Sequence, residues 1–288
     1  MVNPQSLEKY RFTKALRPFS FPVAIIACLV GIVAAYADGV WQPISVALIL
    51  VAGVLLQAGV NLINDHTDLP LIVGSGSQQI AARKQISINF KVGMLCFMLA
   101  SMIGLYLIIQ TGTPLLAISV LGLMGALGYT VAPINYKNRG LGVVMVFWLM
   151  GVLMITGSYL AAGASFDPKI IWLSIPVSCL VALLLLSNEL RDYERDKQDG
   201  LKTLTVRMGY RFSSNLYLGL VVATLIFCFI LKAIGYLNYV WPTLVILLLA
   251  IPPVKMLKAS ADRRQKITPL TARLLLGFGV VFCVLVLV

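Results

Sequence analysis

Residues 169–200 read KIIWLSIPVSCLVALLLLSNELRDYERDKQDG, and this stretch bears on both the fold and the chemistry. From Ile170 to Asn188 there is no charged residue. At 1.5 Å rise per residue, a helix over 169–189 reaches across about 30 Å of hydrocarbon. The run is unbroken, without the alternation of a barrel strand, so a transmembrane helix is expected. Directly beyond it come Glu189, Arg191, Asp192, Glu194, Arg195, Asp196, Lys197 and Asp199. Charge that dense belongs at the aqueous edge of a membrane.

The rest of the chain repeats the first half of that pattern. Of 288 residues, 59% are hydrophobic and only 12% charged, with mean hydropathy +0.92. Soluble domains carry about 25% charged residues, so this chain lacks the polar surface to coat a water-soluble globule. Nine apolar segments of spanning length occur, near 21–37, 41–63, 89–110, 113–132, 141–163, 169–189, 212–235, 238–258 and 269–288. The expected fold is an all-α membrane protein: nine transmembrane helices in a single bundle, one domain over 1–288, with motif-bearing loops at about 61–88 and 188–211. Lys9, Arg11, Lys14 and Arg17 precede the first run, and Ala35-Tyr36-Ala37 has the look of a cleavage site. Pro18 and Pro22 interrupt the basic region and many further spans follow, so the segment reads as a first helix.

Charge sets the orientation. A cytoplasmic N-terminus places 21 of the 23 Lys and Arg residues on the inner side, leaving only Lys169 and Lys232 outside. The positive-inside rule therefore puts the N-terminus in the cytoplasm and the C-terminus outside; the cell inner (plasma) membrane is the expected location. The net charge of +12 is accounted for by these loops; no basic stripe with stacking aromatics stands apart, so no nucleic-acid partner is expected. All five cysteines lie in apolar segments and none forms a Cys-x-x-Cys pair, which fits small buried hydrophobes.

The acids are distributed otherwise. Nine of eleven fall inside, most of them in two clusters at the inner ends of the second and sixth spans. The first is Asn61-x-x-Asn64-Asp65-x-x-Asp68; the second contains Asn188, Asp192, Asp196 and Asp199. Asn61 and Asn188 are 127 residues apart, as are Asp65 and Asp192, which implies two related halves with facing mouths. On a helix, Asn61, Asp65 and Asp68 share one face, as do Asn188, Asp192 and Asp196. Stacked like charges call for a cation, and oxygen-only donors favour Mg²⁺ over Zn²⁺. A solvated charged face balanced by Arg191, Arg195 and Lys197 would account for the second cluster alone. It accounts poorly for the first, whose acids sit in a helix's last turn, where the macrodipole disfavours them, with no basic residue until Arg83. Arg83, Lys84, Lys137, Arg139, Arg191, Lys202 and Arg207 lie on the same side and can bind diphosphate oxygens. A transporter would carry its acids near the bilayer midplane, whereas these crowd one mouth.

The pair of motifs resembles the two aspartate-rich motifs of the UbiA superfamily of intramembrane prenyltransferases, closest to its menaquinone branch. The second matches almost throughout, as Asn188-x-x-Arg191-Asp192-x-x-x-Asp196-x-x-x-Gly200-x-Lys202-Thr203-Leu204-x-Val206-Arg207. Arg17-Pro18 with Phe21-Pro22 resembles that branch's opening, and Tyr129-Thr130, Pro133, Tyr136 and Arg139-Gly140-Leu141-Gly142 its middle loop. Two positions depart: no further acid follows Asp68 before Gly74, and Val143 stands where the branch usually has Glu.

The resemblance implies transfer of a polyprenyl group from a prenyl diphosphate to an aromatic acceptor, with 1,4-dihydroxy-2-naphthoate expected first. Other superfamily acceptors are a hydroxybenzoate, homogentisate, haem or a specialised phenol. It implies Mg²⁺ held by Asn61, Asp65, Asp68, Asn188, Asp192, Asp196 and Asp199. The diphosphate falls to Arg83, Lys84, Lys137, Arg191 and Arg207, and catalysis to Asp192, Arg139 and Lys202. Asp192 is the expected carboxylate for assisting loss of the ring proton or carboxyl group. The lipid bilayer is the remaining partner; nothing in the sequence sets the oligomeric state.

Overall fold

The computed structural model describes residues 8–66, 69, 72, 74, 76–130 and 135–288, without the side chains of 127, 129, 130 and 137. Among these residues the chain is helical, with no strand. The principal helices are α1 (Phe21–Ala37), α2 (Pro43–Asn64), α3 (Ser77–Thr111), α4 (Thr113–Thr130), α5 (Gly142–Ala161), α6 (Lys169–Gln198), α7 (Tyr210–Ala233), α8 (Trp241–Met256) and α9 (Ile267–Leu287). Seven helical segments are long and apolar enough to cross a membrane; the apolar stretches in α4 and α8, Thr113–Ala126 and Trp241–Met256, are shorter.

The helix starting at Phe21 begins where the apolar run does, but two boundaries move. α3 starts at Ser77, so much of the expected 61–88 loop is helix. α6 continues to Gln198, which carries Asn188, Asp192 and Asp196 on one regular helix with Asp199 at its C-cap. α2 stops at Asn64, and Asp65 is its C-cap, so the first motif lies at a helix end and the second on a helix shaft. Asp68 lies outside the described residues.

α6 is the central post. It packs against α1, α5, α7 and α9, burying Val177, Leu180, Leu183, Leu186 and Leu190. Its apolar window is 78% buried against 17% for α3, so α6 is shielded by protein while α3 lies at the rim. Lipid tails are as apolar as leucine, so close helix approach depends on small residues. A Cβ on Gly31 of α1 would stand 2.4 Å from the Ile155 carbonyl and 2.8 Å from the Tyr159 nitrogen of α5. Those neighbours are backbone and cannot turn aside. We expect Gly31→Ala to destabilise the protein by about 3 kcal/mol, the upper range for overpacking. Gly104→Ala on the open face of α3, with nothing within 4 Å, should be neutral or slightly stabilising. Thermal unfolding in detergent compares them; equal losses would contradict the α1–α5 contact.

The connections gather at two ends of the bundle. At one end Arg17 reaches Asp65, Asn89 donates to the Tyr10 carbonyl, Arg207 to that of Asn138, and Arg264 pairs with Glu194. At the other, Lys169 and Tyr159 both bind Asp38, and Asn238 donates to the Val288 carbonyl. The segments grouped as inner by charge thus share one end.

Candidate functional site

The first motif is held by a hook, residues 16–20, that precedes α1. Asn61 Nδ2 donates to the Leu16 carbonyl and to Ser20 Oγ, both at 2.7 Å. Gln57, one turn deeper in α2, donates from Nε2 to Ser20 Oγ at 3.1 Å and Asn61 Oδ1 at 3.3 Å. At the tip of the hook Arg17 has φ 49° and ψ 65°, left-handed backbone that a non-glycine residue adopts only when its surroundings over-determine it. The following Pro18 already disfavours the right-handed helical alternative. This twist brings the Arg17 guanidinium to Asp65 Oδ1 at 2.8 Å, where the carboxylate is only 4% exposed. The cation required by an acid at the C-terminus of α2 therefore comes from 48 residues upstream.

The same hook meets the second motif. Arg191 lies over the Phe19 ring, 5.7 Å from its centroid. Asp192 is gripped by Arg191 through two bonds, Nε–Oδ1 at 3.0 Å and Nη2–Oδ2 at 2.7 Å, and by Arg195 at 2.9 Å, and it also lies in the field of Arg17. Arg17 thus pairs with the first motif, and Phe19 of the same hook packs against the second. Asp196 is buried, with Arg195 at 3.9 Å, and Asp199 is exposed.

Two acids of the second cluster brace its surroundings. Glu189 Oε2 accepts the Thr205 N–H at 2.9 Å, tying the short helix Leu204–Met208 to α6. Glu194 pairs with buried Arg264, whose guanidinium covers the Tyr210 ring at 4.6 Å.

The expected cations divide similarly. Arg207 donates to the carbonyls of Lys202 and Asn138 and so joins the middle loop to the second-motif loop. Arg83 donates to the Ile72 carbonyl. Arg139, Lys202 and Lys84 are exposed at this end. The side chain of Lys137 lies outside the described residues. His66 rests against Phe90, with ring centroids 4.3 Å apart. A 440 Å³ cavity lined by Asp38, Tyr159, Phe166 and Asp167 opens at the opposite end, far from both motifs.

The donors suit a hard divalent cation. Among the described residues no three His, Cys, Asp or Glu side chains are grouped to hold an ion by themselves. Mg²⁺ commonly takes one or two carboxylates and completes its octahedron with water and substrate phosphate, so Asp65 and the Asp192–Asp196 pair match its demand. Asn188 Oδ1, buried without a hydrogen-bond partner among the described residues, adds a hard acceptor beside Asp192. The Asn61 oxygen, by contrast, already accepts from Gln57.

Arg17 and Gln57 were not among the residues expected to form the site. Arg17 was visible only as part of an opening dipeptide; the unbalanced acid at the end of α2 was the signal for a missing cation, though not for its source.

The membrane helix bundle brings two oxygen-donor motifs to one polar end, an arrangement suited to holding a charged group at the membrane edge. The chain belongs to the UbiA prenyltransferase family, whose model matches residues 24–277. The 1,4-dihydroxy-2-naphthoate octaprenyltransferase of Escherichia coli (strain K12) is 26% identical over 259 residues, covering 86% of this chain and 84% of that protein. Its namesake from Mycobacterium leprae (strain TN) is 29% identical over 221 residues, covering 72% of each. A UbiA homolog from Archaeoglobus fulgidus, solved bound to DMAPP and Mg²⁺, shares the fold with a TM-score of 0.65 at 14% identity, covering 95% of this chain and 99% of that one. The protein is a multi-pass membrane prenyltransferase.

Proposed function

We propose that the enzyme transfers a polyprenyl group from a prenyl diphosphate to 1,4-dihydroxy-2-naphthoate at the cytoplasmic face of the inner membrane, with Mg²⁺ as cofactor. The observation that carries this reading is the hook, which pairs Arg17 with Asp65 and sets Phe19 against Arg191, the residue that grips Asp192. The relatives' names favour the naphthoate acceptor. In this reading residues 1–288 form one domain crossing the membrane nine times, α4 and α8 included, with the N-terminus inside.

Asp65, Asn188, Asp192 and Asp196 would hold Mg²⁺, joined by Asp68 and Asp199. Bound Mg²⁺ would neutralise the diphosphate and stabilise it as a leaving group. Arg17, Arg139 and Lys202 supply fixed positive charge where the departing oxygen becomes negative. The C–O bond breaks with its electron pair going to diphosphate, and a ring carbon donates a π pair to the allylic carbon, forming the C–C bond. Asp192 then assists loss of the ring proton or carboxyl group. The apolar helix faces keep water from the allylic cation while the tail lies towards lipid.

Incubating the purified protein with Mg²⁺, a labelled prenyl diphosphate and a panel of aromatic acids tests the proposal. Prenylated naphthoate should form, a chelator should abolish diphosphate release, and added Mg²⁺ should restore it. Full activity in chelator would remove the metal assignment. Val143, buried 5% exposed against α6 where the branch usually has an acid, favours a second reading in which another family acceptor is used. Product only from a hydroxybenzoate or other phenol would select it.

A further inference from the structure

We propose that the side-chain oxygen of Gln57 is the hydrogen-bond acceptor for a ring hydroxyl of the aromatic acceptor; this rests on the acceptor class proposed above. The polarity of the network around the hook is determined step by step. The Leu16 carbonyl can only accept, so the Asn61 atom 2.7 Å from it is the amide nitrogen. Asn61 therefore turns its oxygen to Gln57, and the Gln57 atom facing it must be Nε2. Ser20 Oγ donates to the Arg17 carbonyl at 2.9 Å and accepts from both amides. No flip of either amide satisfies these contacts, so the remaining atom is Gln57 Oε1. It is a pure acceptor, enclosed in a side chain only 5% exposed, with no donor among the described residues.

A buried acceptor left without a donor costs about 1–3 kcal/mol, and native structures rarely keep one without use. Its placement supplies the use. Gln57, Asn61 and Asp65 follow one another at four-residue intervals, so Gln57 lies about 6 Å deeper than Asn61 along α2. That depth puts it on the membrane side of Asn61 and Asp65, where in this proposal the acceptor ring lies, against the apolar tail end of a diphosphate held by the motifs. The group required there is a donor, which excludes a carboxylate and selects a phenolic O–H. Gln57 thus binds and selects the ring, and no proton transfer is assigned to it.

The test is a cycle between side chain and ligand, read by equilibrium binding. Binding of 1,4-dihydroxy-2-naphthoate and of 2-naphthoate, which lacks both hydroxyls, is measured by fluorescence on the full-length protein, wild type and Gln57→Leu. Turnover with Mg²⁺ and prenyl diphosphate is followed in parallel. Wild type should bind the hydroxylated ring ten- to hundredfold more tightly than 2-naphthoate. Gln57→Leu should lose most of that preference, by weakening binding of the hydroxylated ring far more than binding of 2-naphthoate. On the wild-type protein, 1-hydroxy-2-naphthoate and 4-hydroxy-2-naphthoate, each keeping one hydroxyl, provide a second comparison if the leucine variant folds poorly: one of them should keep most of the preference and the other lose it. A leucine variant that discriminates as strongly as wild type overturns the proposal, as does a wild type indifferent to the hydroxyls. Absence of turnover with intact, Gln57-dependent binding would instead strike the proposed reaction.

Discussion

Asp192→Asn is expected to lower kcat for prenyl transfer by roughly three orders of magnitude, whereas Asp199→Asn should cost less than about tenfold. Removing one preorganised charge at a transition state costs about 10²–10³ in rate, and Asp192 occupies a more demanding position than a single donor. It projects from the most enclosed helix of the bundle, with its side chain 13% exposed. Arg191 and Arg195 both pair with it, so a neutral amide would leave two guanidinium groups without their shared anion. The variant would lose the carboxylate proposed to hold Mg²⁺ and unbalance the guanidinium groups around it. Asp199, at the exposed C-cap of α6, has no such enclosure. Initial rates over a range of Mg²⁺ concentrations, with thermal unfolding as the control for folding, separate the two. Equal losses in two well-folded variants would place Asp199 inside the site and overturn this ranking.

The difference between these aspartates marks how far the sequence could be read. That α6 would be a helix followed by its aspartates needed only hydropathy and a four-residue interval, and the helix carries Asn188, Asp192 and Asp196 as expected. Hydropathy could not show that α6 and α3 continue as helices outside their apolar runs. The extensions are held by tertiary contacts: Glu189 to the Thr205 N–H, Glu194 to Arg264, Asn89 to the Tyr10 carbonyl. These partners lie 16, 70 and 79 residues away, beyond any local periodicity. The first motif failed as a continuous helical face for a related reason. α2 ends at Asn64, and Asp65 just beyond it is positioned by the hook, whose left-handed residue is an arginine rather than the glycine or asparagine that would advertise such a turn. Charge counting placed these loops together, and they do share one end of the bundle, but it treated each cation as interchangeable. The structure distinguishes them: Arg207 and Arg83 bind backbone carbonyls, Arg264 braces a motif helix, and Arg17 pairs with the first motif.

Arg17 therefore carries the second large expectation. Arg17→Gln should destabilise the protein in divalent-free buffer by about 2–3 kcal/mol, somewhat below the loss typical of breaking a fully buried ion pair, because Arg17 is 40% exposed while Asp65 is 4% exposed. The buried carboxylate is what makes the loss large: without Arg17 it keeps its desolvation cost and loses its cation. A ligand that binds the folded state stabilises it in proportion to the logarithm of its saturation, so a divalent ion able to reach Asp65 should recover part of the loss. Titrating Mg²⁺ against thermal unfolding should thus give a larger rise in Tm for Arg17→Gln than for wild type, with Ca²⁺ and Mg²⁺ compared at equal ionic strength to remove screening. Arg17→Lys should fall between them, since an ammonium restores the charge but not the planar fork. Equal Mg²⁺-induced shifts in wild type and Arg17→Gln would mean that Asp65 does not face a metal, and the first motif would then have no part in a metal-held diphosphate. A larger shift in the variant would instead identify Arg17 as the resident cation of a site built for a divalent one, present at Asp65 before substrate arrives and positioned to meet the diphosphate when it does.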